Sequence, residues 1–435
     1  MFPISKEVVA EYAKTLGIDR LGYATIRQIV QIANKLEQYS GTKFIRTEMG
    51  VPGLEAVQIG VEAEIEALQK GKAAIYPPIE GAAPLKTELS RFAKLFMNID
   101  ISPDGCVPTV GSMQASFAMF MTVNRCQSEK DTILFIDPGF PVHKRQVAVQ
   151  GMKYESFDIY DYRGDKLRDK LESYLKKGNI SAFLYSTPNN PSWICFTEKE
   201  LKIIGELANK YDVIVLEDLA YFGMDFRQNF GKPGEPPYQS TVANYTDNYV
   251  LTFSGSKVFS YAGERIGALM ISDKLFSRKY PDLGKIFTAD IFGQVVLKEV
   301  IYTLSSGTAH TPQYAMAAML KAVNDGTFDF VAVNKEYGDR AKSMKEAFIE
   351  NGFKIVYDKD ENLELADGFY FTICYPGMTG EELLAELLRY GISAITLDTT
   401  GSTRTEGLRI CTSQTSKERF GDLKERLKAF RENKI

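Results

Sequence analysis

The stretch YVLTFSGSKVFSYAGERIGALMIS, residues 249–272, is the one around which the rest of the chain is organised. Two apolar, β-forming runs at residues 249–253 and 266–272 flank a break at Ser254-Gly255-Ser256. Runs of this composition bounded by glycine and serine are typical of buried strands. The stretch therefore predicts two strands, with Lys257 just beyond the end of the first one.

A lysine at the end of a buried strand is unusual, because burying an ammonium group is costly unless it is paired or its pKa falls. A lysine that loses its charge easily can act as a nucleophilic amine and form a Schiff base with a carbonyl compound. Arg265 supplies a fixed cation for an anion such as phosphate. Together they suggest a phosphorylated aldehyde cofactor, although the tetrapeptide alone is also compatible with a surface lysine in a Gly/Ser turn.

Length and composition indicate a globular enzyme and argue against several other classes of protein. A chain of 435 residues suggests about two or three domains. The net charge of −4, without a basic run, argues against a nucleic-acid surface. Five scattered cysteines indicate free thiols in a reducing compartment, and only two histidines argue against a histidine-based metal site. Without a signal pattern or an apolar run of about 18 residues, we expect a cytoplasmic protein that does not enter a membrane.

From Cys106 onward, near-continuous apolar runs alternate with helical patterns. The turn Gly111-Ser112-Met113 opens one such helix, whose free backbone N–H groups could bind an anion. The alternation predicts an α/β fold whose large domain contains a mainly parallel sheet flanked by helices. Ligands bind beyond the carboxyl ends of the strands in such sheets. The residues that follow predicted strand ends are Ser112, Phe140, Asn190, Asp218, Tyr221 and Lys257.

A smaller α/β unit is predicted after about residue 320. A helical pattern at residues 331–349 precedes strand-like runs at residues 353–357, 369–374, 392–397 and 407–411. The last of these runs carries Arg409 in its interior. We therefore expect residues 1–60 to form an N-terminal arm and part of the small domain, 61–320 the large domain, and 321–435 the C-terminal small domain.

In their order these residues resemble the fold-type I pyridoxal-phosphate enzymes, specifically the class I and II aminotransferases, from about Tyr76 to Arg409. The run from Ser254 to Lys257, followed by Arg265, is similar to the family's Ser-x-Ser-Lys signature and its trailing arginine. The resemblance implies that Lys257 forms a Schiff base with pyridoxal 5'-phosphate and later moves a proton. The residues it implies around the phosphate are Gly111, Ser112, Met113, Ser254 and Arg265, with Ser256 as a further cofactor-binding residue.

The resemblance also implies roles around the cofactor ring. Asp218 is similar to the aspartate that keeps the pyridine nitrogen protonated, which makes the ring an electron sink. Tyr221 and Asn190 are similar to the residues that contact the ring hydroxyl. Phe140 resembles the aromatic residue that stacks on the ring.

Substrate binding and assembly follow from the same resemblance. Arg409 resembles the arginine whose guanidinium fork binds the substrate α-carboxylate, with Asn190 also in the substrate site. Tyr76 resembles the tyrosine that a neighbouring subunit lends to the phosphate, which implies a homodimer. Lys257, Asp218 and Tyr221 form the implied catalytic set, and the implied partners are an amino acid and a 2-oxo acid.

Two segments depart from the family pattern. The family usually reads Asn-Pro-Thr-Gly where this chain has Asn190-Pro191-Ser192-Trp193, so a tryptophan replaces a glycine. That change bears on the loop shape and the substrate mouth, and by itself Trp193 is expected to pack over a loop. The family's glycine pair before a late strand is present only as Asp367-Gly368-Phe369. No second, side-chain-reading arginine is recognisable, although Arg404 lies near Arg409 in sequence.

The function expected from these residues is an aminotransferase. Two alternatives remain open on the same motifs: a β-eliminating, C–S lyase-like or condensing enzyme, and a pyridoxal-phosphate-binding regulator without turnover. The regulator is disfavoured because the roughly 70 residues before Tyr76 are too few, and not basic enough, for a DNA-binding domain. Nothing in the sequence identifies the amino acid or the 2-oxo acid.

Overall fold

A computed structural model describes residues 2–433 of the chain and confirms the α/β class. A seven-stranded central sheet lies at its centre. In spatial order its strands are Cys106–Val110, Ile266–Ile271, Tyr249–Ser254, Ile214–Asp218, Ile180–Ser186, Thr132–Asp137 and Lys153–Asp158. Ile266–Ile271 is antiparallel to both neighbours, and every other pair is parallel.

Helices cover both faces of the central sheet, which explains why its inner strands are apolar throughout. The strand Ile180–Ser186 is buried at every position, as expected for a parallel strand covered on two sides. Lys153–Asp158 differs because it lies at an edge and begins with exposed residues. Its polar sequence lacks the apolar run that predicts the other strands, so the pattern does not reveal it.

The helices agree closely with the helical patterns in the sequence. The pattern predicted at residues 331–349 corresponds to the helix Phe330–Glu350, and a capping box between Thr197 and Glu200 fixes the start of Glu198–Tyr211. The helices of at least nine residues are Lys6–Thr15, Ile26–Ser40, Gln58–Gln69, Ala83–Met97, Gly111–Val123, Pro141–Val149, Lys166–Leu175, Glu198–Tyr211, His310–Asn324, Phe330–Glu350, Gly380–Arg389 and Phe420–Glu432. Shorter helical segments include Gly255–Val258, Asp273–Ser277, Phe292–Gln294, the π-helix Val295–Ile301 and Tyr302–Ser305.

A second sheet, here called the small sheet, forms from the C-terminal part of the chain. Its antiparallel strands, in spatial order, are Ile395–Thr396, Leu408–Cys411, Tyr370–Cys374 and Lys354–Ile355. The run predicted as one strand at residues 392–397 is divided, because Ile392–Ser393 pairs instead with Ile45–Arg46 from the N-terminal region. A hairpin, Lys359–Asp360 with Leu363–Glu364, completes the strands.

The N-terminal residues pack against the small sheet and its helices. Ile29, Ile32 and Leu36 of the second helix share an apolar cluster with Phe371 and Leu427. The assignment of residues 1–60 in part to the small domain stays a prediction. The boundaries at 60 and 320 stay a prediction, and residues 1, 434 and 435 lie outside the described residues.

Three compositional expectations concern the described chain as a whole. All five cysteines are unpaired thiols, as predicted. Within residues 2–433, no cluster of three or more His, Cys, Asp or Glu side chains is arranged to hold a metal ion. No helix in that range is long and apolar enough to cross a membrane. The cytoplasmic location stays a prediction.

Candidate active site

The carboxyl ends of the parallel strands gather most of the predicted site residues at one edge of the central sheet. Val110 pairs with Ile266 and Ser254 pairs with Gly267, so the segments that begin at Gly111 and Gly255 both lie beside Arg265. Asp218 ends the strand next to Tyr249–Ser254. The sheet topology thus brings together residues that are up to about 150 positions apart in sequence.

Lys257 lies in the short helix Gly255–Val258, whose N-terminus is capped by Ser254 Oγ. Its Nζ donates a hydrogen bond to the carbonyl oxygen of Gly50 and lies 5.8 Å from the centre of the Phe369 ring. Desolvation lowers the pKa of Lys257 to about 8, and the guanidinium groups of Arg265 and Arg409 act in the same direction. A substantial fraction of this amine is therefore neutral near pH 7.5 to 8, as a nucleophilic lysine requires.

Arg265 and the N-terminus of the helix Gly111–Val123 together form a positively charged region near Lys257. A Cβ at Gly111, where φ is +65°, would lie 2.7 Å from Arg265 Nη2, so the absence of a side chain lets the guanidinium approach the helix start. Arg265 is exposed, donates to the carbonyl oxygen of Ala262 at 2.9 Å and pairs with no carboxylate among residues 2–433. The first N–H groups of the helix Gly111–Val123 have no partner within that helix. An unpaired guanidinium beside a helix N-terminus suits an anion.

Asp218 carries a partly buried carboxyl group, and one of its two oxygens accepts hydrogen bonds. Its Oδ1 accepts hydrogen bonds from Thr252 Oγ1 at 3.0 Å and from the backbone N–H of Ala220 at 3.1 Å. Oδ2 accepts none from the described residues. Burial raises the pKa of Asp218 to about 6. A cationic hydrogen-bond donor opposite Oδ2 would stabilise the ionised form and lower that pKa again.

Arg409 and Asn190, both predicted in the substrate site, are in direct contact. Arg409 Nη1 donates to Asn190 Oδ1 at 3.1 Å, and Nη2 donates to the carbonyl oxygen of Glu48. The Arg409 side chain is almost fully buried, and its Nε has no partner among the described residues. A buried guanidinium with a free N–H and no carboxylate partner can bind an incoming carboxylate.

Tyr370 and Gly50 belong to the site, although the sequence motifs do not indicate them. The Tyr370 and Tyr221 hydroxyl groups lie 2.8 Å apart, and the Tyr370 ring lies 4.6 Å from Arg409 Cζ. A Cβ at Gly50 would lie 1.8 Å from Tyr370 Oη, so only glycine fits there without movement. The glycine- and proline-rich turn that begins at Gly50 is the sequence feature that could have indicated this part of the site. Tyr370 gives no such indication, because an aromatic residue in a short strand is usually a core residue.

Three side chains that the sequence singles out lie outside the set of residues gathered around Lys257. Trp193 is fully buried, with its indole against Gly368 in the bend before the strand Tyr370–Cys374, and its φ of +66° keeps the left-handed conformation that glycine favours. Arg404 is not available as a second substrate arginine, because it pairs with Asp158 and Asp161. Tyr76 is 86% exposed and, among the described residues, contacts no other predicted site residue.

The remaining predicted residues occupy the expected positions in the fold. Phe140 precedes the helix Pro141–Val149, just beyond the strand Thr132–Asp137, and its ring lies edge-on to His143 at 5.5 Å. Ser112 and Met113 begin the helix Gly111–Val123. Ser256 is buried, and its N–H is bonded to Ser254 Oγ at 3.2 Å.

Pyridoxal 5'-phosphate fits the residues that line this edge of the sheet. Its phosphate suits the unpaired Arg265 and the helix start at Gly111, and its ring nitrogen suits the free Oδ2 of Asp218. The aldehyde carbon suits a lysine of lowered pKa. Asp218, Lys257 and Arg265 lie at the ends of, or between, three neighbouring strands.

Comparison with known proteins shows the family. Residues 49–427 match the family model described as aminotransferase class I and II. The chain is 25% identical over 334 residues to a probable aspartate aminotransferase of Methanocaldococcus jannaschii, covering 77% of this chain and 78% of that protein. It is 25% identical over 382 residues to the putative aminotransferase YugH of Bacillus subtilis, covering 85% and 86%. The solved alanine aminotransferase of Pyrococcus furiosus has the same fold, with a TM-score of 0.76 and 19% identity over 99% of both chains.

The chain belongs to the class I and II aminotransferases. It is an enzyme that moves an amino group between an amino acid and a 2-oxo acid.

Proposed function

We propose that this aminotransferase works with pyridoxal 5'-phosphate bound covalently to Lys257. The observation that carries the proposal is a lysine of lowered pKa near two arginines, neither of which has a carboxylate partner among residues 2–433. One arginine suits a cofactor phosphate and the other suits a substrate carboxylate, and the lysine lies within electrostatic reach of both.

The cofactor would be held by groups that are already in place. Arg265, Ser254, Ser256 and the helix start formed by Gly111, Ser112 and Met113 would bind the phosphate. Asp218 would face the ring nitrogen, Tyr221 and Asn190 the ring hydroxyl, and Phe140 the ring face. When bound, the cofactor supplies an electron sink for the negative charge that develops at the substrate α-carbon.

The side chains of this chain would perform two tasks during the reaction. Arg409 binds the α-carboxylate of the amino acid, with Asn190 Oδ1 fixing the orientation of the guanidinium. After the substrate amine has replaced it on the cofactor, the freed Lys257 Nζ would take the proton from the substrate α-carbon, because an amine with a pKa of about 8 can accept and return a proton near neutral pH.

Borohydride reduction of the holoenzyme tests the attachment. Reduction should fix the cofactor on a single peptide that contains Lys257, and Lys257→Ala should lose both the label and the pH-sensitive visible absorption. Lys130→Ala is a matched control, because Lys130 is also a lysine of lowered pKa but binds the carbonyl oxygens of Tyr211 and Asp212, away from the site. A label on another residue, or an unchanged visible band in Lys257→Ala, would contradict the assignment.

We also propose that the active form is a homodimer in which Tyr76 reaches the partner's phosphate site. Supporting this, Tyr76 is exposed beside the exposed Ile75, and the nearby Ile65 and Leu68 are also exposed. Light scattering should give twice the chain mass, and Tyr76→Phe should weaken cofactor binding. A fully active monomer would contradict the dimer.

A further inference from the structure

Trp193 occupies an unusual place for the only tryptophan of the chain. It lies in the loop after the strand Ile180–Ser186, at the position where the family usually has glycine. Its backbone is left-handed, and its N–H donates to the carbonyl oxygen of Asn189 at 2.8 Å. The loop thus keeps a glycine-like shape while it sends a large side chain into the space between the central and small sheets.

Gly368, just before the strand Tyr370–Cys374 of the small sheet, provides the space for this side chain. A Cβ at Gly368 would lie 2.1 Å from Trp193 Cε2, 2.2 Å from Cζ2 and 2.3 Å from Nε1. No ordinary contact is that short, so alanine at residue 368 and this indole position exclude each other. Trp193 and Gly368 are therefore sterically matched. They meet where the loop after Ile180–Ser186 contacts the start of the strand Tyr370–Cys374, a region here called the junction.

The indole contacts the two tyrosines that connect the proposed cofactor and carboxylate sites. Its ring centre lies 5.3 Å from that of Tyr221 and 6.1 Å from that of Tyr370, edge-on to both. The two tyrosine hydroxyls share a hydrogen bond, and the Tyr370 ring covers the Arg409 guanidinium. Edge-on aromatic contacts of this kind fix relative orientation as well as adding packing energy.

We infer that Trp193 is a positioning residue: its indole, seated on Gly368, sets the positions of Tyr370 and Tyr221 and through them the carboxylate-binding geometry of Arg409. The inference deepens the proposed function and rests on Arg409 binding the substrate carboxylate. Trp193 is fully buried, so it acts through the tyrosines and does not touch substrate.

A shift of the indole should therefore affect substrate binding more than proton transfer. Tyr370 would move against Arg409, and the loop would shift Asn190, the hydrogen-bond partner of Arg409. Lys257 is carried by the short helix Gly255–Val258, which is part of neither the Trp193 loop nor the strand Tyr370–Cys374. A general loss of stability would behave differently, because fewer folded molecules lower the apparent kcat and leave KM unchanged.

The test is a double-mutant cycle with Gly368→Ala, Trp193→Gly and both changes together. Gly368→Ala should raise KM for the amino acid by at least about tenfold while kcat stays within about threefold. In the Trp193→Gly background, the same Gly368→Ala change should alter KM by less than about threefold. Gly421→Ala is the control, because a Cβ there meets nothing within 4 Å, and it should change neither constant.

Tryptophan fluorescence of the cofactor-free protein separates this inference from the proposed function. Because Trp193 is the only tryptophan, its emission reports the junction directly, and Gly368→Ala should shift it to longer wavelength whereas Gly421→Ala should not. If Gly368→Ala fails to fold while the double variant folds, the coupling is demonstrated. If Trp193→Gly folds and Gly368→Ala is equally damaging in both backgrounds, or if Gly368→Ala leaves KM and emission unchanged, the inference is overturned. An expected emission shift combined with no turnover in the wild type would count against the proposed function alone.

Discussion

Arg265 and Arg409 both lower the pKa of Lys257, but the two side chains are held in opposite ways. Arg265 is exposed, and its only hydrogen bond among the described residues goes to the carbonyl oxygen of Ala262. Arg409 is 1% exposed and is fixed by Asn190, by the Glu48 carbonyl oxygen and by the Tyr370 ring. One cation lies open beside a helix start, and the other is part of the packed junction.

The difference shows how one site can combine a loosely held and a rigidly held cation. Removing an exposed, unpaired charge costs the fold little, so Arg265 should matter chiefly to its ligand. Removing a buried, hydrogen-bonded guanidinium leaves polar groups without partners, so Arg409 should matter to both fold and substrate. Substitutions at the two positions should therefore separate cofactor binding from substrate binding.

Arg409→Ala should have the larger effect. We expect kcat/KM for amino acids to fall by about 100-fold or more, since two charge-assisted hydrogen bonds of about 1.5–3 kcal/mol each are at stake. Matching amines that lack the carboxylate should lose far less activity. Steady-state kinetics with such matched pairs provide the measurement.

Arg409→Lys serves as the matched variant at this position. It keeps the charge but loses the planar fork, so its loss should lie between those of the wild type and Arg409→Ala. Equal losses for amino acids and amines would indicate a structural arginine and would remove the distinction between the two cations.

Arg265→Gln should have a smaller and different effect. The dissociation constant of pyridoxal 5'-phosphate should rise by about tenfold or more, as expected for one charge-assisted hydrogen bond. At saturating cofactor, KM for the amino acid should change by less than about threefold. Arg278→Gln, which removes an arginine paired with Asp212 away from the site, should leave cofactor affinity unchanged. A large rise in KM for Arg265→Gln would mean that the two cations do not have separate tasks.

Glu217, the residue next to Asp218, is a second ionisable group whose properties are set by burial. It is fully buried, its Oε2 accepts from Thr241 Oγ1 at 2.6 Å and from the Val242 N–H at 3.0 Å, and burial raises its pKa to about 7. The folded state therefore favours the neutral acid. Its contribution to stability is complete below the unfolded pKa of about 4.5, falls as pH rises, and is lost above about pH 7.

Glu217→Gln should remove this pH dependence. Relative to the wild type, the variant's free energy of unfolding should improve between pH 5 and pH 8 by a few kcal/mol at most, as measured by urea denaturation of cofactor-free protein. Glu172→Gln is the control: hydrogen bonds from Lys210 and Lys176 lower the pKa of Glu172 to about 2, so its titration window lies below pH 5. Parallel stability profiles for Glu217→Gln and the wild type would show that this carboxyl group is ionised in the fold.

The part of the site that the sequence predicts is the part made of contiguous segments. Ser254, Lys257 and Arg265 belong to one strand–turn–strand stretch, and a parallel sheet brings Asp218 to the same edge. The strand order and the antiparallel placement of Ile266–Ile271 do not follow from the pattern. They depend on which apolar faces pack together.

The contacts that the sequence does not predict join distant segments. From the sequence alone, Tyr370 is expected to be a core residue of a short strand. Its contacts with Tyr221 and Gly50 are seen only in the folded structure. Arg404 lies five positions from Arg409 in sequence, yet it pairs with Asp158, at the end of the strand Lys153–Asp158, and with Asp161 just beyond that strand. Trp193 reads as a departure from the family, and its match to Gly368 is visible only in three dimensions.

The account depends most on the claim that Lys257 and Arg409 serve one amino-transfer reaction, and a single half-reaction tests it. Holoenzyme incubated with an amino acid alone should stop after releasing one equivalent of 2-oxo acid per chain, with its visible band shifted to shorter wavelength. A different 2-oxo acid should then restore the band and release the corresponding amino acid, as expected for ping-pong covalent catalysis. Continuous release of ammonia without any 2-oxo acid acceptor, and without that stoichiometric stop, would contradict the account.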